Sequence, residues 1–298
     1  MESSQLAAFI AVAETSSFSS AAENLHLTQP AVSKRIALLE RNLELRLFDR
    51  IGKKVFLTEA GRILLDRART INREISTTRT LLANLNAQVS GRLALASSHH
   101  IGLHRLPPVL REYAGRYPLV RIDISFLESE QAYEQVAHGA IELGVVTLAP
   151  ENVAKINPHP LWEDELCIMI SRDHPLAGHQ RVSLEDLLEF PAILPAENTF
   201  TRRIVEELFR SRNCGLTTEM STNYLETIRM MVSIGMAWSV LPRTMLDESL
   251  HILHFRDVRL SRKLGYINHD YHTLSNAAKA FIELLEAYGD QGARSQSR

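Results

Sequence analysis

A long helix with an apolar seam along one side divides this chain of 298 residues. Apolar or small residues recur at alternating spacings of four and three from Leu64 to Val89. The seam consists of Leu64, Ala68, Ile71, Ile75, Thr78, Leu82, Leu85 and Val89. This is the a/d pattern of a coiled coil, so we predict one helix over residues 59–90. A small module cannot bury such a seam, so we expect a second copy of the chain to cover it. Packing on the chain's own carboxy-terminal part is the alternative.

The segment before this helix has the pattern of three short helices. Helical spacing of apolar residues predicts the first over residues 5–16 and the second in "SSFSSAAENL". We expect Ser19 to cap the second helix and Thr28 to cap the third. Pro30 then falls in the first turn of the third helix, where its missing N–H costs nothing.

The third helix combines an apolar side with a flat polar side. At 100° per residue, the apolar arc contains Val32, Ile36, Leu39 and Leu43. The opposite side contains Pro30, Lys34, Ala37 and Arg41, with Gln29 and Ser33 on its shoulder. Gln and Ser can hydrogen-bond to base edges and Lys can contact phosphate, so this side suits a major groove. From this helix alone, a solvated surface is an equally good interpretation.

The stretch "LRLFDRIGKKVFLT" predicts two strands joined by a Gly-Lys-Lys turn. Arg50, Lys53 and Lys54 lie at or beside this turn. A basic hairpin directly after a helix-turn-helix is typical of a wing that holds the sugar-phosphate backbone. Such phosphate contacts supply affinity, whereas the third helix would supply sequence preference.

Composition indicates a cytoplasmic globular protein of two or three domains. No apolar run approaches the roughly 18 residues of a membrane helix, and the amino terminus lacks the basic region of a secretory signal. The net charge of −2 is unevenly distributed. Residues 1–90 hold 12 Lys and Arg against 9 Asp and Glu, whereas residues 91–298 hold 21 against 26. A basic module on an acidic body favours a polyanion as the partner of one domain only.

From Gly91 onward, short apolar strands alternate with helices, which predicts mostly parallel sheets with covering helices. Ligands of such folds bind beyond the carboxyl ends of the strands, often at helix amino termini that suit anions. We therefore expect polar residues at successive strand exits to converge on one cleft, although each alone is better explained as a helix cap. These candidate effector-binding residues are Ser97, Ser98, His99, His100, Thr147, Asn198, Thr199 and Asn223.

The sequence contains few residues in the patterns of a metal site or a catalytic site. His100 and His104 are spaced i, i+4, but no Cys or Glu cluster accompanies them, so we predict no metal site. Cys167 and Cys214 lie far apart in no metal spacing, and Cys167 is expected in the core. The chain lacks G-x-S-x-G, H-E-x-x-H, P-loop and G-x-G-x-x-G motifs. We expect no catalytic residue and no cofactor.

Two stretches, "SSFSSAAENLHLTQPAVSKRIALLERNLELRLFDR" and "LTEAGRILLDRAR", closely resemble the signature of LysR-type transcriptional regulators. The resemblance is dense over about residues 3–70 and continues afterwards in layout. It implies an amino-terminal winged helix-turn-helix, a long linker helix and a carboxy-terminal, two-lobed α/β domain like a periplasmic binding protein. The implied ranges are 1–58 for the DNA-binding domain, 59–90 for the linker and dimerisation helix, 91–298 for the effector-binding domain, 91–162 with 267–298 for lobe I, and 163–266 for lobe II.

The resemblance also implies partners and site residues. It places Gln29, Pro30 and Ser33 in the groove-facing helix and Arg50, Lys53 and Lys54 in the wing. Together with Thr28 and Lys34 of the third helix, these are the expected DNA-binding residues. The expected partners are double-stranded promoter DNA, a small polar or anionic effector, further copies of the chain in a homodimer and homotetramer, and RNA polymerase. The alternative is a solute-binding or enzymatic α/β protein with an appended helical domain. A nucleoid-type architectural protein would not need so large a two-lobed body.

Overall fold

The computed structural model describes residues 1–51, 54–85, 88–179, 181–255 and 258–296. They belong to two compact units, Met1–Leu85 and Asn86–Arg298, each with its own apolar core. Among these residues, no helix is long and apolar enough to cross a membrane.

The first unit contains short helices, a hairpin and a longer helix. Its elements are α1 (Ser3–Thr15), α2 (Phe18–Asn24), α3 (Gln29–Leu43), β1 (Phe48–Ile51), β2 (Lys54–Leu57) and α4 (Glu59–Ala83). Strands β1 and β2 pair antiparallel, with Phe48 opposite Leu57. The three predicted helices and the two predicted strands are therefore confirmed, whereas Gly52 and Lys53 of the predicted turn lie outside the described residues.

The helix caps agree with the sequence prediction at one position and differ at another. The side chain of Ser17 caps α2 by accepting the N–H of Ser20, so the prediction of Ser19 was wrong and Ser19 lies within the first turn. Thr28 is the N-cap residue of α3, as predicted, although its hydroxyl makes no capping hydrogen bond.

The apolar side of α3 packs into the core of the first unit. Val32, Ile36 and Leu39 are buried together with residues of α1 and α2. At the far end of α3, the Glu40 Oε1 accepts the backbone N–H of Leu47 at 2.7 Å. Because Glu40 Oε1 also accepts the N–H of Phe48 at 3.3 Å, the carboxy-terminal end of α3 is attached to the start of the hairpin.

Helix α4 begins with a close approach to the chain before β1. A Cβ added to Gly61 would lie 2.3 Å from the carbonyl oxygen of Leu47, so only glycine fits there. The Thr58 hydroxyl accepts the N–H of Gly61 at 3.0 Å and donates to the carbonyl of Arg46 at 2.7 Å. These contacts place the first turn of α4 against the hairpin.

Helix α4 ends at Ala83, so the prediction of a helix as far as residue 90 was wrong. Asn84 closes the helix by donating its backbone N–H to the carbonyl of Thr80. Asn is a poor helix former because its side chain competes for backbone hydrogen bonds. Residues 88–90 lead instead into the first strand of the second unit, and Val89 packs against the core of that unit.

The second unit alternates strands with helices. Its elements are β3 (Gly91–Ser97), α5 (His99–His104), α6 (Leu106–Arg116), β4 (Val120–Phe126), α7 (Ser129–Ala137), β5 (Leu143–Thr147), β6 (Ile156–Ser171), α8 (Leu184–Leu188), β7 (Ile193–Leu194), α9 (Phe200–Ser211), β8 (Met220–Ser221), α10 (Leu225–Ser233), β9 (Ser239–Pro242), β10 (Leu250–Ile252), β11 (Leu260–His269) and α11 (Asn276–Gln296).

The main sheet is mixed, so the prediction of mostly parallel sheets was wrong. Its strand order is β10-β6-β11-β5-β3-β4, and β9 also pairs with β6. Strand β3 is parallel to β4 and β5, whereas β6 is antiparallel to β9, β10 and β11. The physical reason is that β6 and β11 are long strands that run past each other in opposite directions, which an alternation of strands and helices does not reveal.

Strands β6 and β11 connect two separate cores. Trp162 of β6 and Tyr266 of β11 belong to the first core, which also contains Phe281 of α11. Farther along β6, Ile168 belongs to the second core together with Trp238. Two lobes therefore share these two crossing strands, and the space between the lobes lies beside them.

Candidate functional site

The polar side of α3 is accessible in the first unit. Gln29, Pro30 and Lys34 are exposed, and Ser33 is half-buried. The Gln29 Nε2 donates a hydrogen bond to the Ser33 Oγ at 2.8 Å. Because this bond spans one helical turn, it holds the amide and the hydroxyl together on one face of the helix.

This face has the chemistry of a base-reading surface. An amide and a hydroxyl together offer donors and acceptors, and both stand on a helix whose opposite side is fixed in the core. Thr28 is exposed, and its hydroxyl is not used to cap α3. Lys34, the residue after Ser33, is exposed and adds a positive charge beside this pair.

The basic wing is only partly described. Arg50 lies in β1 opposite Val55, and Lys54 lies in β2 opposite Ile51. The side chains of Arg50 and Lys54 fall outside the described part of the structure, as does the whole of Lys53. The described backbone nevertheless pairs β1 with β2 antiparallel, as the sequence predicts.

The second unit contains a small polar cleft of about 50 Å³ at the ends of β3 and β5. It is lined by Ser98, His99, His100, Glu128, Ser129, Glu130, Thr147, Pro195, Thr199, Thr201, Asn223, Leu225 and Arg262. Six of the eight residues predicted from strand exits are among them. The other two lie elsewhere: Ser97 is buried with its hydroxyl donating to the Val145 carbonyl, and Asn198 is exposed.

A buried ion pair that the sequence analysis missed lies at the cleft. The Arg262 Nε donates to the Asp164 Oδ2 at 2.9 Å, and their side chains are only 5% and 2% exposed. The Arg262 Nη1 also donates to the Thr201 Oγ1 at 2.9 Å. A sequence signal was present, since Asp164 stands two residues from Trp162, on a side of β6 that alternation predicts to be buried.

Two carboxylates from the start of α7 also line the cleft. Glu128 caps α7 in a capping box, and burial together with the charge of Glu130 raises the pKa of Glu128. Glu130 accepts the backbone N–H of Phe200, the first residue of α9. These acidic side chains therefore occupy positions at helix amino termini where a bound anion would be stabilised.

Two further backbone donors at or beside the cleft have side-chain partners. Asn223 Oδ1 accepts the N–H of Ala196 at 2.9 Å, and Ser129 Oγ accepts the N–H of Thr147 at 3.1 Å. Ser98 differs because it precedes α5 without making a side-chain capping bond. The cleft is thus a connected polar network in which Ser98 keeps its hydroxyl free of a capping role.

Histidines form one wall of the cleft. Burial and the nearby positive charge of Arg262 lower the pKa of His100 to about 4, so its imidazole is neutral at pH 7. His99 lies between the rings of Phe126 and Tyr224, with centroid distances of 5.4 and 5.1 Å. His104 Nε2 lies 3.2 Å from a carboxylate oxygen of Glu226.

Glu226 belongs to α10 and follows His104 by 122 residues. Burial opposes ionisation of Glu226, but hydrogen bonds from its own backbone N–H and from His104 outweigh burial and lower its pKa. The sequence contains no local signal for this pairing. The sequence predicts no metal site because no Cys or Glu cluster accompanies the histidines, whereas the fold brings one Glu to them from a distant helix.

Comparisons with known proteins identify both units. Residues 3–62 match the family model of the bacterial regulatory helix-turn-helix protein, lysR family, and residues 86–290 match the LysR substrate binding domain. The chain belongs to the LysR family. Its members and relatives are transcriptional regulators rather than enzymes, so this chain is a LysR-type transcriptional regulator with an effector-binding domain.

Curated relatives of this LysR-type regulator include two of particular similarity. An HTH-type transcriptional regulator of Azotobacter vinelandii, from the ibpB-leuC intergenic region, is 68% identical over 36% of this chain and 75% of its own length. The HTH-type transcriptional activator CmpR of Synechocystis is 31% identical over 96% of this chain and 95% of its own length.

Solved structures confirm the fold class that the sequence predicts for this LysR-type regulator. Full-length CbnR in complex with its target DNA has a TM-score of 0.61 at 22% identity, with 97% of this chain and 100% of CbnR covered. The effector-binding domain of QuiR in complex with shikimate has a TM-score of 0.61 at 18% identity, with 68% of this chain and 98% of QuiR covered.

Proposed function

We propose that this regulator reads promoter DNA with the polar side of α3 and holds the DNA backbone with its wing. Gln29 and Ser33 contact base edges, and Pro30 packs at the mouth of the groove. Thr28, Lys34 and the wing residues Arg50, Lys53 and Lys54 contact phosphates. One observation carries this proposal: Gln29 and Ser33 are joined at 2.8 Å on the accessible side of a helix whose other side is buried. The DNA complex of CbnR is consistent with it.

The test separates base reading from phosphate binding. Preferred sites are first selected from a random duplex pool, and affinities for a selected and a scrambled duplex are then measured by fluorescence anisotropy at several salt concentrations. Gln29→Ala or Ser33→Ala should cost about 1–3 kcal/mol on the selected duplex and little on the scrambled one. Lys34→Ala should weaken both alike and lower the salt slope by about 1. Arg121→Ala, an exposed cation of the second unit, is the control. Equal losses of affinity for Gln29→Ala, Ser33→Ala and Lys34→Ala on both duplexes would refute the assignment.

We further propose that a small polar or anionic effector binds between the lobes and changes DNA occupancy or bending. The proposed contacts are Ser98, His99, His100, Thr147, Thr199 and Asn223, whereas Ser97 and Asn198 are omitted because they do not line the cleft. A volume of about 50 Å³ holds only a few water molecules, so the effector must widen the cleft. The crossing strands β6 and β11 are the connection about which the lobes could move.

The effector proposal is tested by a thermal-shift screen of polar and acidic metabolites on the full chain, because a ligand that binds the folded state raises its stability by mass action. A hit should lose its shift in Thr147→Val and keep it in the Arg121→Ala control. A hit whose shift is insensitive to changes at all six contacts would place the effector site elsewhere.

We propose that residues 59–90 pair two chains, with 1–58 as the DNA-binding domain and 91–298 as the effector-binding domain. Lobe I comprises 91–162 and 267–298, and lobe II comprises 163–266. Part of the seam is used within the chain, since Ala68 is buried in the first core and Val89 packs on the second. Between them Leu82 and Leu85 are 62% and 81% exposed, and a second copy would cover them.

The proposed assembly is a homodimer that pairs into a homotetramer in the cytoplasm, where the promoter-bound form contacts RNA polymerase. Sedimentation of the full chain should give a tetramer or dimer, and Leu82→Glu should dissociate it toward the monomer. Ile63→Glu, on an exposed side chain outside the seam, is the matched control and should leave the mass unchanged. A monomeric wild-type chain would contradict this pairing.

A further inference from the structure

Three potential metal ligands from two separate helices meet beside the cleft. The ligand atoms of His100, His104 and Glu226 all lie within 4.8 Å of one another. A carboxylate oxygen of Glu226 lies 3.2 Å from His104 Nε2 and 3.7 Å from His100 Nδ1. The two histidines are one turn apart on α5, so they project from the same face of that helix.

The two separations from Glu226 fit a compact coordination sphere. Zinc binds His nitrogen and carboxylate oxygen at roughly 2.0–2.2 Å, so neighbouring ligands of a tetrahedral ion lie about 3.3–3.5 Å apart. The two distances to Glu226 bracket that spacing. Two His and one Glu also form a donor set that zinc uses when it keeps a fourth position open.

The state of His100 is an independent observation that favours a ligand. Its side chain is only 7% exposed, and its Nδ1 is buried without a hydrogen-bond partner among the described residues. A buried polar atom without a partner destabilises the folded state, so such atoms require an explanation. Glu226 forms its hydrogen bond with His104, so His100 Nδ1 is still without a hydrogen-bond partner in the described part of the chain. A cation placed between the three side chains would give each of them a partner.

The surrounding charges permit a cation at this position. Glu226 supplies one negative charge directly. The nearby positive charge belongs to Arg262, which is already paired with Asp164.

We propose that His100, His104 and Glu226 bind a divalent transition-metal ion of the zinc class. This metal site is distinct from the effector contacts proposed above, although it shares His100 with them. Helix α5 follows β3, and α10 packs in a core with Met169 of β6 and Leu241 of β9. The ion would therefore join elements from both lobes. Because His100 also lines the cleft, the open fourth position could accept an oxygen donor from the effector.

The experiment uses the full chain without a polyhistidine tag, first stripped with a chelator. Zinc is titrated in competition with a chromophoric chelator, and cobalt(II) is added separately to record its absorption bands. We expect one equivalent of zinc per chain and the cobalt spectrum of nitrogen and oxygen ligands. Glu226→Gln and His104→Ala should each weaken zinc binding at least tenfold. His179→Ala, an exposed histidine of the same unit, should bind like the wild type.

Several outcomes would overturn the site. These are no stoichiometric zinc binding by the wild type, zinc affinity unchanged in both cluster variants, or thiolate charge-transfer bands that assign the ion to Cys167 or Cys214. Glu226→Gln preserves the shape of a partly exposed side chain, and melting in the presence of chelator shows whether each variant is folded. If either variant unfolds, the wild-type stoichiometry and cobalt spectrum still decide, because they require no substitution.

Discussion

Replacing Asp164 with Asn should destabilise the second unit by about 3–5 kcal/mol, because the Arg262 charge would remain buried without its counter-ion. The two side chains are 5% and 2% exposed, so water cannot replace the lost carboxylate. The hydrogen bond from Arg262 Nη1 to Thr201 would persist, but a hydroxyl carries no charge to balance the guanidinium. The full penalty for an unpaired buried charge should therefore appear.

The double replacement Asp164→Leu with Arg262→Met separates this penalty from the net stabilisation by the ion pair. Exchanging a buried ion pair for apolar side chains of similar volume is often neutral, or stabilising by about 1–4 kcal/mol. We therefore expect the double variant to be more stable than the single Asp164→Asn variant. Its thermal midpoint should approach that of the wild type.

Tryptophan fluorescence during urea unfolding measures this unit selectively. The chain contains two tryptophans, Trp162 and Trp238, and both are buried in the second unit. Asp123→Asn is the control, because Asp123 pairs with Arg92 on the surface, where their side chains are 39% and 66% exposed. Breaking such an exposed pair costs at most about 1 kcal/mol. The reasoning fails if Asp164→Asn costs no more than this control, or if the double variant is as unstable as the single one.

Three further predictions concern stability. Gly61→Ala should destabilise the first unit by about 1–3 kcal/mol in circular-dichroism melts, since its methyl would lie 2.3 Å from the Leu47 carbonyl oxygen; unchanged melting contradicts this. Tyr113→Phe should cost about 1 kcal/mol by tryptophan fluorescence, because its hydroxyl donates to the buried Ala277 carbonyl at 2.7 Å; no loss contradicts it. His100 has a folded pKa of about 4 against 6.5, so only the unfolded chain binds the proton between these pH values. In chelator, stability should therefore fall by up to about 3 kcal/mol as pH drops from 6.5 to 4, and His100→Asn should abolish this pH-dependent contribution.

The third helix could be predicted from sequence because its signal is local and redundant. The apolar period of Val32, Ile36 and Leu39, a proline in the first turn and a Thr before it all indicate the same helix. The end of α4 could not be predicted in the same way. The heptad period continues past Ala83, but the helix ends there. Asn84 is its C-cap residue, and the chain then has to enter β3. A periodic apolar pattern predicts which side chains are buried, but it does not show that one helix or one core contains all of them.

The cleft was partly predictable, and the reason is topological. Ser98 and Thr147 could be found because the carboxyl ends of β3 and β5, which are parallel neighbours, open at one edge of the sheet. Asp164 and Glu226 could not be found by that rule. Asp164 lies in the middle of a crossing strand, and Glu226 reaches His104 from a helix that is 122 residues away in the chain. Contacts between distant segments depend on how the lobes are arranged, and the spacing of residues along the sequence does not reveal that arrangement.

The polar groups of the cleft already form hydrogen bonds with one another, and the proposed effector would have to replace some of these bonds. Glu130 of α7 accepts the N–H of Phe200, while the Phe200 ring packs at 5.3 Å from Tyr133 of the same helix. One residue at the start of α9 thus receives a polar and an apolar contact from the other lobe. An effector that separates the lobes must replace both contacts, because an unpartnered N–H and a newly exposed ring each cost free energy. An anionic group is suited to the first task, since it can occupy the helix terminus that Glu130 leaves. In the proposed effector site, selectivity would therefore depend on how well the charge of the effector substitutes for a carboxylate that the chain itself supplies.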